Sequence, residues 1–139
     1  SPNGTINVHP SMLPKLRGAS PIRTAIMNGE REHIGVSVML LDSKMDHGPI
    51  LAQQHMPITD DQWPVAGPDL DLALSRMGGA LLASTLPRFL SGEIQPTEQN
   101  HDEATYCGRL NKDDSQLEID PDHPSNSVDM SVVMVGLIN

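Results

Sequence analysis

Aromatic residues and cysteine are scarce in this chain of 139 residues. Phe, Trp and Tyr occur once each, so a core must be packed from aliphatic side chains, to which eight methionines add adaptable ones. Cys107 is the single cysteine, which excludes an internal disulfide and suits a reducing compartment such as the cytosol. No apolar run is long enough to cross a bilayer, so we expect no membrane partner.

Basic residues are also few. Nine lysines and arginines stand against 18 aspartates and glutamates, which gives a net charge of −9. Such a chain repels nucleic-acid phosphates unless it carries a local basic patch. Lys15, Arg17 and Arg23 form the basic cluster nearest the amino terminus. Arg17 is the candidate contact for an RNA phosphate; alternatively, these cations only solvate a loop and a helix face.

An amide and an imidazole lie two residues apart at the end of the short apolar run 5–8. In an extended strand such residues share a face, so Asn7 and His9 are predicted to enter one pocket together. The prolines that follow exclude a helix and indicate a loop over residues 11–18. The spacing alone leaves two interpretations open: a pair that holds a reacting carbonyl, or a polar strand end before a turn.

The rest of the chain alternates helical and extended patterns. Cap residues predict a helix at 21–28, and helical spacing predicts a long helix from Asp69 that Pro87 kinks or ends. Strands are predicted at 36–40 and 50–55, and the short loop between them favours antiparallel pairing. The run at 132–138 also has strand character but no obvious partner. His47, His55 and Asp46 lack the spacing of known zinc sites, so we expect no metal.

The polar strand end, the segment 11–14 and the Asp-x-Gly turn at residues 46–48 together resemble the folate-dependent formyltransferases. The resemblance implies 10-formyltetrahydrofolate as co-substrate. The residues that it assigns are Asn7, His9 and Asp46 as catalytic, Ser11, Met12, Leu13 and Pro14 as folate-contacting, and Arg17 and Gly48 as substrate-binding. Asn7 would donate to the formyl oxygen, and His9 would donate to the same oxygen or exchange protons with the leaving nitrogen. Asp46 would fix the tautomer of the ring and favour its charged form, or take the proton of the amine through a water.

The same resemblance implies an α/β fold. Residues 1–120 would form the carboxy-terminal part of a Rossmann-like formyltransferase domain, with helices flanking a mixed sheet and with the amino-terminal half of that domain absent. Residues 121–139 depart from the pattern as a divergent tail. A further departure is Ile34-Gly35-Val36, where the family usually has Thr-Gly-Val.

The acceptor is narrowed by residues 17–22 and 25–29, which resemble the family members that formylate methionyl-tRNA more than those that act on purines or sugars. The implied reaction is cytoplasmic transfer of the formyl group to the amine of methionyl-initiator tRNA. Two alternatives stay open. One is transfer to a small amine such as glycinamide ribotide or an amino sugar, and the other is a fragment without activity of its own.

Overall fold

The computed structural model describes residues 4–107 and, further along the chain, the strand Val133–Gly136. Its strands are β1 (Thr5–His9), β2 (Gly35–Leu40), β3 (Ile50–His55) and β4 (Val133–Gly136), its helices are α1 (Pro21–Asn28) and α2 (Gly67–Leu90), and short 3-10 turns cover Arg31–His33, Asp60–Gln62 and His101–Glu103. The predicted α/β class is confirmed. The predicted boundary at residue 120 lies outside the described residues.

The four strands form one sheet in the order β3-β2-β1-β4. Every strand pair that the structure describes in this sheet is antiparallel, including β2 with β3 as predicted, and the parallel strands of a mixed sheet are not among them. The run at 132–138 does have a partner, because its described part pairs with β1. Its pattern indicated a strand but could not name a partner so distant in the chain.

The two faces of the sheet carry different kinds of side chain. In β1, Ile6 and Val8 join the apolar core, while Asn7 and His9 point to the opposite face. The same alternation runs through β2, where every second residue joins that core. Helix α2 packs on the apolar face, mainly against β2 and β3. The polar face of β1 is therefore available to the candidate site.

Helix α1 has the predicted bounds. Ser20 occupies the N-cap position without a side-chain cap bond, Pro21 opens the helix, and Gly29 ends it with φ of 67°. Glycine suits that left-handed conformation because a Cβ atom would be strained there. The helix leads directly away from the loop that follows β1, so its start helps to place that loop.

Helix α2 continues through Pro87 to Leu90, so the prediction that the helix could end at this proline is wrong. The proline deprives the Ala83 carbonyl of its helical donor. Both residues are exposed, so water can satisfy that carbonyl. Within this helix Gly78 is buried, whereas its neighbour Gly79 is exposed. No helix among the described residues has the length and apolar character of a membrane span.

Candidate active site

The carboxyl end of β1 places two polar side chains in the interior. Asn7 is 4% exposed and His9 is fully buried, on the face of the strand opposite the apolar core. Asn7 Oδ1 and His9 Nδ1 have no hydrogen-bond partner among the described residues. A buried polar atom without a partner is costly and marks a place where a further polar group can bind. The prediction that the two residues share a face is confirmed.

Asp46 reaches His9 from the loop between β2 and β3. Its Oδ1 lies 3.4 Å from His9 Nδ1, and its Oδ2 accepts a hydrogen bond of 2.8 Å from the backbone N–H of Gly18. The aspartate is 4% exposed and has φ of 55°, a left-handed conformation that Asp tolerates better than most residues. The imidazole and the carboxylate therefore meet although they are far apart in the chain.

The protonation state of His9 is set mainly by burial. Burial lowers the pKa of the ring from its ordinary value of 6.5, and the Asp46 carboxylate and the bond to Leu16 offset this only in part. His9 Nε2 donates to the Leu16 carbonyl oxygen over 2.8 Å, which leaves the lone pair of the neutral ring on Nδ1. As predicted, Asp46 favours the charged ring, but burial outweighs it. The prediction that Asp46 fixes the tautomer is corrected, because the carbonyl of Leu16 does so.

The segment 11–14 is tied to the sheet by Ser37. The Ser37 hydroxyl donates to the Ser11 carbonyl over 2.7 Å and accepts from the N–H of Leu13 over 3.1 Å. Ser11 is fully buried, and its own hydroxyl donates to the Lys15 carbonyl. Leu13 and Pro14 line a cleft of about 330 Å³, whereas Ser11 and Met12 do not. Folate contact by this segment stays a prediction.

Arg17 lies inside the protein, with 2% of its surface exposed. Its guanidinium donates to Gln99 Oε1 over 2.9 and 3.3 Å, to the Tyr106 hydroxyl over 3.1 Å and to His101 Nδ1 over 2.6 Å. The alternative that Arg17 only solvates a loop is therefore wrong. Its contact with a substrate phosphate stays a prediction, and in this arrangement four of its five N–H donors already have partners.

Gly48 also has a structural reason for its identity. A Cβ atom built on it would lie 1.8 Å from the carbonyl oxygen of Leu40, so no other residue fits without movement of the backbone. Its own carbonyl accepts a bond of 2.7 Å from Gln99. Contact between Gly48 and a substrate was predicted and stays a prediction.

Residues 1–65 match the family described as formyl transferase. The chain is 44% identical over 117 residues to the methionyl-tRNA formyltransferase of Roseiflexus sp. (strain RS-1). These residues make up 84% of this chain and 35% of that protein. With the enzyme of the same name from Halorhodospira halophila the identity is 41% over 129 residues, which is 93% of this chain and 40% of that protein. The chain is therefore similar to formyltransferases over most of its described length. It spans little more than a third of the length of these curated relatives.

Solved structures of this family share the fold. The N-formyltransferase of Helicobacter canadensis, in complex with folinic acid and dTDP-3-aminofucose, has a TM-score of 0.68 at 24% identity, covering 92% of this chain and 47% of that one. Rv3404c of Mycobacterium tuberculosis, titled a likely sugar N-formyltransferase, has a TM-score of 0.65 at 25% identity, covering 92% and 54%. The fold is thus one that the formyltransferase family uses.

Sequence reasoning missed several buried or stacked polar residues near the family motif. Ser37 is fully buried and Gln99 is 5% exposed. The His47 and His101 rings stack with their centroids 3.9 Å apart, and His47 Nδ1 lies 2.6 Å from Asp42 Oδ2. Ser37 could have been suspected because it interrupts an apolar strand, whereas Gln99 lies in a polar stretch without periodicity. The described residues include no cluster of His, Cys, Asp and Glu arranged for a metal.

Proposed function

We propose that the protein carrying this chain transfers a formyl group from 10-formyltetrahydrofolate to the amine of methionyl-initiator tRNA in the cytoplasm. The observation that carries the proposal is the approach of Asp46 to His9, 3.4 Å apart in the interior, on the strand face that Asn7 shares. The acceptor is supported by relatives named methionyl-tRNA formyltransferase that are 41–46% identical over 82–93% of the chain. As part of the proposal, residues 1–120 belong to the catalytic domain.

The amine nitrogen attacks the formyl carbon, and negative charge develops on the formyl oxygen. Asn7 is suited to stabilise that oxygen through its side-chain NH2, because donors aimed at developing charge lower a barrier most effectively. As the new C–N bond forms, the amine loses a proton to His9 Nδ1, whose lone pair is free in the neutral ring. The Asp46 carboxylate stabilises the resulting imidazolium, which returns the proton to N10 as the C–N10 bond breaks.

The folate site is proposed at the segment 11–14, where Leu13 and Pro14 line the cleft. The volume of about 330 Å³ lies within the range of small-molecule sites. Three structural neighbours are complexes with folinic acid or tetrahydrofolate, which supports a folate co-substrate for this chain as well.

Transfer to an amino sugar is the second candidate. It is favoured by the solved structures that share the fold, several of which are titled sugar formyltransferases. Those neighbours are 22–25% identical to the chain, whereas the methionyl-tRNA formyltransferases are more than 40% identical over most of it. The higher identity makes methionyl-tRNA the first acceptor to test.

The test measures formyl transfer by the complete protein to three acceptors: charged initiator tRNA, glycinamide ribotide and a nucleotide-linked amino sugar. We expect kcat/KM for the tRNA to exceed that for either small amine by about a hundredfold or more, equal to about 2.7 kcal/mol of transition-state binding. Substitutions His9→Asn and Asp46→Asn should each lower kcat by at least about a hundredfold. Transfer only to a small amine would overturn the proposal that methionyl-tRNA is the acceptor. Full activity of His9→Asn would overturn the proposed catalytic role of His9.

A further inference from the structure

Gln99 makes an unusually complete set of contacts for a residue outside the helices and strands. Its side-chain NH2 donates to the carbonyl oxygen of Asp46 over 3.0 Å and to that of Gly48 over 2.7 Å. Its Oε1 accepts two bonds from the guanidinium of Arg17. With 5% of its surface exposed, the amide uses both donor hydrogens and its oxygen within the protein.

The orientation of this amide is determined by Arg17. A guanidinium can only donate hydrogen bonds, so the side of the amide that faces it must be the oxygen. The NH2 group is then directed at the loop that carries Asp46. If the amide were flipped, its NH2 would face the donors of Arg17 and its oxygen would face two carbonyl oxygens. Arg17 and Gln99 therefore act as one unit.

The backbone on both sides of Arg17 holds the two partners of the candidate site. The Leu16 carbonyl accepts from His9 Nε2, and the Gly18 N–H donates to Asp46 Oδ2. Arg17 itself is anchored by its N–H to the Thr105 carbonyl over 2.9 Å and by its carbonyl to the N–H of Cys107 over 2.7 Å. One short segment thus orients the imidazole and the carboxylate, and its arginine side chain reaches the same loop through Gln99.

Several contacts hold the loop that carries Asp46, among them the stacking of His47 on His101 and the bonds from Gln99. Residues 42–45 before Asp46 are exposed, and Met45 is 70% exposed. Asp46 itself adopts a left-handed conformation that is unfavourable for a residue with a Cβ atom. The two bonds from Gln99 grip the backbone on either side of His47 and keep the loop in this conformation.

We propose that Gln99, oriented by Arg17, is the positioning residue that holds the Asp46 carboxylate beside His9 during formyl transfer. The inference rests on the proposed function for its catalytic consequence, and on the contacts alone for its structural one. Gln99 acts through Asp46 and touches no reacting atom. Its loss should therefore lower the rate of the chemical step while the acceptor still binds.

The first test is Gln99→Glu in the complete protein. The carboxylate still accepts the bonds of Arg17, but it has no hydrogen to donate and presents an oxygen to the carbonyls of Asp46 and Gly48. We expect kcat for formyl transfer to fall at least about tenfold, with KM for the acceptor unchanged within about twofold. KM for the donor is not a criterion, because Gln99 also lines the cleft proposed for folate. The matched control is Gln95→Glu, the same change at an exposed amide that bonds only the nearby Gly92 carbonyl; kcat should be unchanged.

The second test does not depend on activity. The titration of the His9 ring is followed by NMR in the unsubstituted protein, Gln99→Glu, Asp46→Asn and the double variant. The Asp46 carboxylate raises the pKa of His9, so its displacement in Gln99→Glu should lower the midpoint, whereas the charge added at position 99 acts in the opposite direction in both backgrounds. The change in midpoint should therefore be more negative with Asp46 present than in the Asp46→Asn background, by about half a unit or more. In the Asp46→Asn background the same substitution should cause no such fall, since there is no carboxylate left to displace.

The outcomes separate the two proposals. If no variant transfers formyl groups but the titration behaves as expected, the proposed function fails and the positioning role of Gln99 stands. An equal shift in both backgrounds, or an unchanged kcat in Gln99→Glu, overturns the positioning role. If Gln99→Glu does not fold, Gln99→Asn, which keeps the amide but is one methylene shorter, is used with the same measurements and the same criteria.

Discussion

Asp46 and Gly48 are separated by one residue and are constrained for different reasons. Asp46 accepts a left-handed backbone so that its carboxylate can lie beside His9. Gly48 has no room for a side chain, because the Leu40 carbonyl occupies the place of a Cβ atom. Both residues belong to the motif that resembles the family, yet only the contacts distinguish the chemical reason from the steric one.

We predict that Gly48→Ala destabilises the protein by about 2 kcal/mol or more, because the backbone must move to relieve the overlap with Leu40. The matched control is Gly79→Ala on the exposed side of α2, where an added Cβ meets no atom within 4 Å. That change should stabilise the protein by about 0.5 to 1 kcal/mol through helix propensity. Urea unfolding of both variants measures the two effects. Equal and small changes would contradict the steric account of Gly48.

The lowered pKa of His9 predicts a pH dependence of stability. Between the pKa of the folded state and 6.5, the unfolded chain binds a proton that the buried ring does not. The free energy of unfolding should therefore fall as the pH falls below 6.5, by at most about 1.4 kcal/mol per pH unit for this one group, and should be unaffected by it above 6.5.

The comparison that isolates this group is His9→Gln, which cannot titrate. Unfolding free energies are measured for both proteins between pH 5 and pH 8, about the range in which histidines change charge. The free energy of unfolding of the unsubstituted protein minus that of His9→Gln should fall as the pH is lowered. Parallel curves would show that burial does not disfavour the charged ring of His9.

How much of the site could be predicted depends on sequence distance. Strand alternation was enough to place Asn7 and His9 on one face. Asp46 could be assigned only by resemblance to a family, because nothing in a local pattern indicates which loop returns to the strand end. Gln99 gave no signal at all, since its four bonds join two loops that are distant in the chain.

At the scale of elements, α2 is the principal cover of the apolar face of the sheet. Leu70 and Leu74 are buried at 2% and 0% exposure, whereas Leu72 on the opposite side is 52% exposed. The helical spacing predicted this division, because residues four apart lie on one face. The bounds were less predictable: Pro87 is a strong local signal for a helix end, but its exposed position lets the last turn form.

Leu74→Ala should cost about 2 to 5 kcal/mol of stability, the range for a leucine removed from a packed core. Leu72→Ala is the matched control, with the same atoms removed from the exposed side of the same helix; it should change stability by about 0.5 kcal/mol or less. Chemical unfolding measures both changes, and the comparison is valid if the free energy of unfolding depends equally on denaturant concentration in the two variants. Similar losses in both would mean that α2 does not pack as described.

At the scale of the whole molecule, the α/β class was implied by the resemblance to a known family, but the order of the strands in the sheet was not predicted. The antiparallel pairing of β2 with β3 could be predicted because a short loop joins them. The pairing of β1 with β4 joins distant parts of the chain, and hydrophobic periodicity says nothing about partners.

Alternate residues of β1 have different roles, because one face of the strand packs in the core and the other faces the candidate active site. Ile6 and Val8 serve cohesion, whereas Asn7 and His9 serve reactivity. A slip of the strand by a single residue would exchange the two sets at once, burying the amide and the imidazole among leucines and presenting aliphatic groups to Asp46. An insertion or deletion within this strand would therefore abolish folding and chemistry together.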